Sequence, residues 1–443
     1  AQSVLHYRWS GYEDLYTRNI VYSQASPDSI DVLCFGTSEI YAGYTPIVSY
    51  ETTGVTGFNF GVTSRSAMTA YYQLLYALEY QTPSVVICDF SCLFDDKLPN
   101  QEEYTAFRKL LSDNMSLPAG FTEDMILKAP SRNIMNQLAR SVLALYSYDE
   151  SADDTSLENV LRQSIGLIAR FPLIAANAFA AKRHYFDGKS LILHNPEPEL
   201  SVAENILRMI RPDKAYTPEE SHLLDLMLIL HAEHSSNNST FVCRAMSSSG
   251  TDTYSAIAGA VGSLKGPLHG GANAKVMQMF RDIRAHVGTA PTDDALGAYL
   301  DQILDGEAGD RSGKIYGLGH AVYTMSDPRA VVIKKYAAAL ARDKGRAGDL
   351  ELMERVEELG IRKIMTRKHQ SIPMCANVDL YSGLIYSMLD IPEDMYTPLF
   401  ATARIAGWCA HRLEELATGN RIMRPAYRAM LMKVPYIPVE ARE

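Results

Sequence analysis

The sequence predicts a mainly α protein preceded by a short α/β segment. From Lys97 onward apolar residues recur at helical spacing almost without interruption, whereas before that point short β-branched runs alternate with glycine-punctuated loops. The 443 residues, 47% hydrophobic and 21% charged, are enough for two or three domains with a large buried core.

In chain order, residues 31–35 and 84–88 are apolar runs bounded by turn residues, and residues 67–80 between them read as a helix. Strand, helix, strand at this spacing suggests a βαβ unit with parallel strands. The run from Pro99 to Glu103 then opens the first helix of the main body. Ser131 is placed to cap a second, with Ile134, Leu138, Val142 and Leu145 along one face. Residues 148–155 are acidic and polar and read as disordered, as do the last few residues. Thr217 and Glu220 form a capping box with Pro218 at the first helical position. That helix runs through Leu223, Leu224, Met227 and Leu230 and delivers His231 and His234 at its end. Residues 351–359 form a short amphipathic stretch, and residues 399–416 a long helix carrying Arg404. No apolar run reads as long enough to span a membrane, and no leader opens the chain.

The formal net charge of −10 and pI near 5.6 disfavour nucleic acid, whose phosphates call for a basic surface. A local arginine cluster can still bind a small anion. The six cysteines (Cys34, Cys88, Cys92, Cys243, Cys375 and Cys409) are scattered among apolar neighbours. They read as free thiols of a reducing cytoplasm, and Cys88 with Cys92 is too isolated for a zinc site.

Polar residues set among glycines interrupt this pattern. His231 and His234 run into Ser235–Ser239, His269 lies in the stretch from Gly266 to Asn273, and His320 lies between Gly317 and Tyr323, with Asp327 and Arg329 following. Glycine lets backbone approach a ligand, and imidazole donates or accepts near neutral pH. Asp379 sits among apolar and small residues, where desolvation raises basicity. Arg404 and Arg424 occupy apolar contexts, and their planar forks suit carboxylates. Singly, each has a plainer explanation: a turn histidine, or for Arg404 a structural ion pair.

In combination these motifs resemble the citrate synthase family over residues 98–428, roughly three quarters of the chain. The matched motifs are Gly-Pro-x-His-Gly-Gly-Ala-Asn ending at Asn273, Gly-x-Gly-His-x-Val-Tyr ending at Tyr323 and followed by Asp327-Pro328-Arg329, and Asn-Val-Asp-x-Tyr-Ser-Gly ending at Gly383. The resemblance implies a two-domain helical fold, with residues 97–272 and 385–443 forming a large domain and residues 273–384 a small one. It implies condensation of acetyl-coenzyme A with oxaloacetate, the entry step of the tricarboxylic acid cycle. Asp379 would be the base, His269 would stabilise the enolate, and His320 would polarise the ketone. His234, Arg329, Arg404 and Arg424 would bind oxaloacetate in a cytoplasmic homodimer, Arg424 reaching in from a second subunit. No metal and no tightly bound cofactor is implied, coenzyme A thioester being a substrate. Arg367 and Lys368, with Arg362 and Lys363, are candidates for its phosphates or equally a solvated charged face; Thr324 stands where the family often has a basic residue.

His231 reads as support for His234 or half of a metal pair, and His411 as packing or surface. The first 96 residues do not match this family. Residues 31–89 resemble the opening of Ser-Gly-Asn-His (SGNH) hydrolase-like proteins, through Gly36 to Ser38 and Phe58 to Gly61, but without their closing base. The junction near residues 94–98 reads as a join between unrelated genes. The alternatives are therefore a 2-methylcitrate synthase using propionyl-coenzyme A, or a truncated non-catalytic or esterase-like fusion with Ser38 as nucleophile.

Overall fold

The computed structural model describes residues 100–320, 323, 326–369, 373–418, 421–424 and 438–441, and the strand backbones at 32–35, 57–59 and 85–88. These strands, β1 (Val32–Phe35), β2 (Gly57–Asn59) and β3 (Val85–Cys88), form one parallel sheet in the order β2-β1-β3. Val32 pairs with Val85 and with Gly57, so the parallel arrangement expected of the two apolar runs is present. The helix expected at residues 67–80, Ser38 and the junction lie outside the described residues.

The remainder is helical. Helix α1 (Gln101–Asp113) starts at an Asn100–Glu103 capping box, and α2 (Ile134–Leu145) is capped by Asn133 rather than Ser131, whose hydroxyl accepts from the Asn133 N–H instead. Helix α3 (Leu157–Asp187) follows, then α4 (Val202–Ile210) and α5 (Pro218–Ala232), the last opening on the expected Thr217–Glu220 box. Next come α6 (Asn238–Ser247), α7 (Thr253–Leu264), α8 (Ala272–Val287), α9 (Asp293–Leu304) and α10 (Pro328–Asp343). Helix α11 (Ala347–Arg367) is more than twice as long as the stretch read at 351–359, and α12 (Val378–Met388) and α13 (Tyr396–Thr418) complete the bundle.

Two expectations are corrected. Residues 148–155 are ordered, because Asp149 accepts from Arg162, Gln163 and the Tyr254 hydroxyl, and Asn159 ties down the Ser151 and Asp154 carbonyls. Acidic composition misleads here because it does not show the partners, which come from the first turns of α3 and, 105 positions away, from Tyr254 of α7. Helix α3 is long and apolar enough, by length and composition alone, to cross a membrane. Its apolar side chains are instead mostly buried within the fold, against α2, α7 and α13.

Apolar stripes assemble two cores. One joins α2, α3, α6, α7 and α13 around Leu138, Phe171, Ile257, Val261 and Trp408. The other runs from α4 and α5 into α8–α12, through Leu224, Phe280, Ile333, Val356 and Leu380, and is continuous across residues 272 and 273. Helices α12 and α13, joined by a short turn, link the second core to the first.

Candidate active site

The site forms where α13 meets the loop between α5 and α6, and where the segment before α10 meets the start of α12. Gly319 N–H donates to the Cys375 carbonyl at 2.8 Å, and Asn377 N–H to the Gly317 carbonyl at 2.9 Å. An antiparallel bridge between Leu318 and Ala376 completes the lacing. Gly317 is required there, since its φ of +86° is left-handed and a Cβ would sit 2.8 Å from Leu380 Cδ1. His320 and Asp379, sixty residues apart in sequence, are thereby fixed to one frame.

Three imidazoles face this region. The His234 and His320 rings lie 5.0 Å apart, with Tyr323 packed against both at 5.4 and 4.8 Å. The Tyr323 N–H donates to His320 Nδ1 at 3.1 Å, while Arg329 Nη2 stands 3.4 Å from His320 Nε2. Both neighbours are obligate donors, and a neutral imidazole accepts at one nitrogen only. A neutral His320 therefore accepts from one of these two and keeps a single proton to donate. Arg329 is held bidentately by the buried Asp327, at 3.1 and 2.8 Å. Among the described residues His234 Nε2 is buried without a hydrogen-bond partner, an unsatisfied group of the kind a bound ligand would complete.

His269 packs near Phe400, its ring 6.3 Å from the Phe400 centroid. Its Nε2 accepts from the Ser239 N–H at 3.3 Å and lies 2.9 Å from Ser239 Oγ. That hydroxyl accepts in turn from Trp408 Nε1 at 3.1 Å, and its own proton is shared between His269 and Asn237 Oδ1. A backbone N–H can only donate, so His269 carries its proton on Nδ1.

Electrostatics set the protonation states. Desolvation, reinforced by Arg329 and His320, lowers His234 to about 4, and desolvation with the Arg404 charge takes His269 to about 4. Desolvation and Arg329 also lower His320. All three rings are neutral donors at neutral pH. Asp379 moves the other way: desolvation raises it to about 6 against the charges of Arg329 and Arg404. It makes no side-chain hydrogen bond or ion pair with a described residue, so this carboxylate is free to take a proton.

Arg404 is 1% exposed, donates from Nε to the His231 carbonyl at 2.7 Å and lies 4.8 Å from the Phe400 ring centroid. No described carboxylate pairs with it, so the structural ion pair is absent. Burial lowers it to about 10, which still leaves it charged at neutral pH. A buried, unpaired cation is unfavourable unless an anion visits it. His231 is buried support: its Nδ1 faces the Met227 carbonyl at 2.7 Å and its ring packs on Phe400. Among the described residues no three His, Cys, Asp or Glu side chains gather into a metal site. Cys243, Cys375 and Cys409 are buried free thiols.

His234, His269, His320, Asp379, Arg329 and Arg404 are thus brought together. Arg424 is not: it is exposed, and the neighbouring Met423 N–H donates to Ser248 Oγ at the far end of α6 from Ser239, about 13 Å away by helical rise. Arg367 is occupied by Asp301 and Asp305, bracing α11 against α9, and Lys368 is exposed beside it. Ser239 and Trp408, which orient His269, were not singled out from the sequence.

The sequence profile described as citrate synthase, C-terminal domain, matches residues 81–426. The citrate synthase of Deinococcus radiodurans is 37% identical over 336 residues, 75% of this chain and 82% of that one. Among solved structures, citrate synthase from Thermotoga maritima superposes with a TM-score of 0.62 at 30% identity, covering 80% of this chain and 87% of its own. A ternary complex of Thermoplasma acidophilum citrate synthase with carboxymethyl coenzyme A and oxaloacetate gives 0.64 at 25% identity, covering 78% and 86%. With its family's profile matched over most of its length, the chain belongs to the citrate synthase family.

Proposed function

We propose that this protein condenses acetyl-coenzyme A with oxaloacetate and water, giving citrate and coenzyme A. Asp379 takes a proton from the acetyl methyl group, and His269 Nδ1–H donates to the thioester oxygen as negative charge develops there. The methyl carbon forms a bond to the oxaloacetate ketone carbon, and the ketone oxygen takes a proton from His320. Hydrolysis of the citryl thioester then releases citrate and the thiol. His234, Arg329 and Arg404 hold the diacid, with Arg424 supplied by the second subunit of a cytoplasmic homodimer.

The observation that carries this reading is a basic carboxylate and a neutral imidazole fixed to one frame, with a buried guanidinium, unpaired among the described residues, whose charge reaches both that carboxylate and the second imidazole, His269. Thioester methyl groups are weak carbon acids, so the base works only if a donor stabilises the oxyanion at the same time, an effect of about 3–4 kcal/mol per well-placed donor. Exclusion of water by closure of the two expected domains over the reactants belongs to the same proposal. No contact in the site favours a propionyl group over an acetyl group.

The test is release of free thiol from acetyl-coenzyme A with and without oxaloacetate, propionyl-coenzyme A being the competing substrate. Oxaloacetate-dependent release that disappears in Asp379→Ala supports the proposal. Release unaffected by that substitution removes Asp379 as the base, and preference for the propionyl thioester reassigns the substrate.

A further inference from the structure

One face of α13 meets the loop that joins α5 to α6. Phe400, Arg404, Trp408 and His411 lie along it at helical spacing. Phe400 packs on His231, Arg404 holds the His231 carbonyl, and Trp408 holds the Ser239 hydroxyl. Gly407 lets the backbones touch: a Cβ there would stand 2.4 Å from the Ala232 carbonyl oxygen. The fourth member, His411, contacts none of the residues assigned to the reactants, yet it is only 6% exposed.

Its ring is held between two carboxylates. Nε2 lies 2.9 Å from Glu233 Oε1 and Nδ1 lies 3.1 Å from Glu414 Oε2. Donation by both nitrogens, which only the imidazolium allows, satisfies both carboxylates, while Arg244 Nη1, 3.5 Å from Nδ1, donates to Glu414 at 2.8 Å. Burial alone would lower its pKa, but the hydrogen bonds to Glu233 and Glu414 prevail and push it up to about 9. The other charges facing it are Arg244 of α6, which pairs with Glu414 and Glu415, and Arg404 two turns earlier on its own helix. Glu233 directly precedes His234.

We propose that His411 is a positioning residue for the diacid half of the site, acting through Glu233 to pin the His234 loop against α13 in register with Arg404. The proposal rests on the citrate synthase reading. Loosening the clasp frees His234 relative to Arg404, so binding of the diacid weakens while the frame that carries Asp379, built from other segments, stays intact.

Two-substrate kinetics on the full chain test this. In His411→Ala, KM for oxaloacetate is expected to rise about tenfold, the effect of ~1.4 kcal/mol, with KM for acetyl-coenzyme A nearly unchanged. His411→Gln, which keeps a donor toward Glu233, is expected to recover part of the loss. In the wild type, KM for oxaloacetate should climb as pH rises through about 9, where His411 loses its proton. In Glu233→Gln that climb should begin at lower pH, because the carboxylate that retains the proton is gone. Should His411→Ala not fold, Glu233→Gln decides alone, its side chain being half-exposed. Both KM values unchanged, both rising in parallel, or a lower Tm with unchanged KM would overturn the positioning role while leaving the enzymatic reading standing. A wild type without oxaloacetate-dependent thiol release would overturn both.

Discussion

The Asn377 side chain spans the segments that carry His320 and Asp379: its amide nitrogen donates to the Gly319 carbonyl at 2.9 Å, and its oxygen accepts from the Asp379 N–H at 3.0 Å. It is at once the N-cap of α12 and the brace beside His320. Asn377→Ala is expected to lower stability by about 1 kcal/mol through loss of the cap. Displacing Asp379 from His320 should lower kcat far more, by about a hundredfold. Denaturation midpoints and kcat measured on the same preparation check both.

Asp379→Asn should separate activity from stability. Removing the base is expected to reduce kcat by about two to four orders of magnitude. The folded-state pKa, raised from 3.8 to about 6, means the native state holds this proton more tightly than the unfolded chain does. Its contribution to stability is therefore lost as pH rises from about 4 to 6, and at neutral pH the ionised carboxylate opposes folding. The neutral amide escapes this, so Tm measured at pH 7 should rise in the inactive variant. A lower Tm would contradict the desolvated carboxylate.

The same group sets the acid limb of the pH profile. Wild-type kcat/KM should fall as pH drops through about 6, where Asp379 gains its proton. His234 and His269, both held near 4, become charged only below that. A limb with its midpoint near 4 would reassign the titrating group.

Arg404→Leu should raise KM for oxaloacetate by about a hundredfold or more, as expected for a desolvated charge pair losing one partner. Arg404→Lys should not restore binding, because an ammonium lacks the bidentate fork. Calorimetric binding of oxaloacetate in the absence of thioester is the direct measurement.

Ser239→Ala strips one hydroxyl from two clients. Trp408 Nε1–H is left buried without an acceptor, lowering stability by about 1–3 kcal/mol. His269 keeps only its 3.3 Å contact with the Ser239 N–H, so kcat should fall while KM for oxaloacetate changes little.

Much of this was legible in the sequence because local rules dominate it. The Thr217–Glu220 box places α5, and the glycine-flanked His320 marks a segment that meets the start of α12 at the candidate site. What stayed hidden depends on pairings distant in the chain. His411 reads as a packing residue until Glu233, 178 positions earlier, is brought against it. Ser239 is one hydroxyl in a serine-rich run, and only the fold shows that Trp408 and His269 both reach it. A usable signal did exist for His411: its spacing from Phe400, Arg404 and Trp408 puts it on the same helix face.

The burial of α3 has a consequence for biosynthesis. A segment apolar enough to enter a bilayer emerges from the ribosome ending at Asp187, but one wall of its resting place, α13, is complete only at Thr418. At translation rates of about 5–20 residues per second, that wall arrives roughly ten to fifty seconds later. During this interval the nascent chain presents an apolar helix covered on only part of its surface, so chaperone supply and growth temperature are expected to affect yield. Slowing synthesis alone would lengthen the exposure rather than cure it.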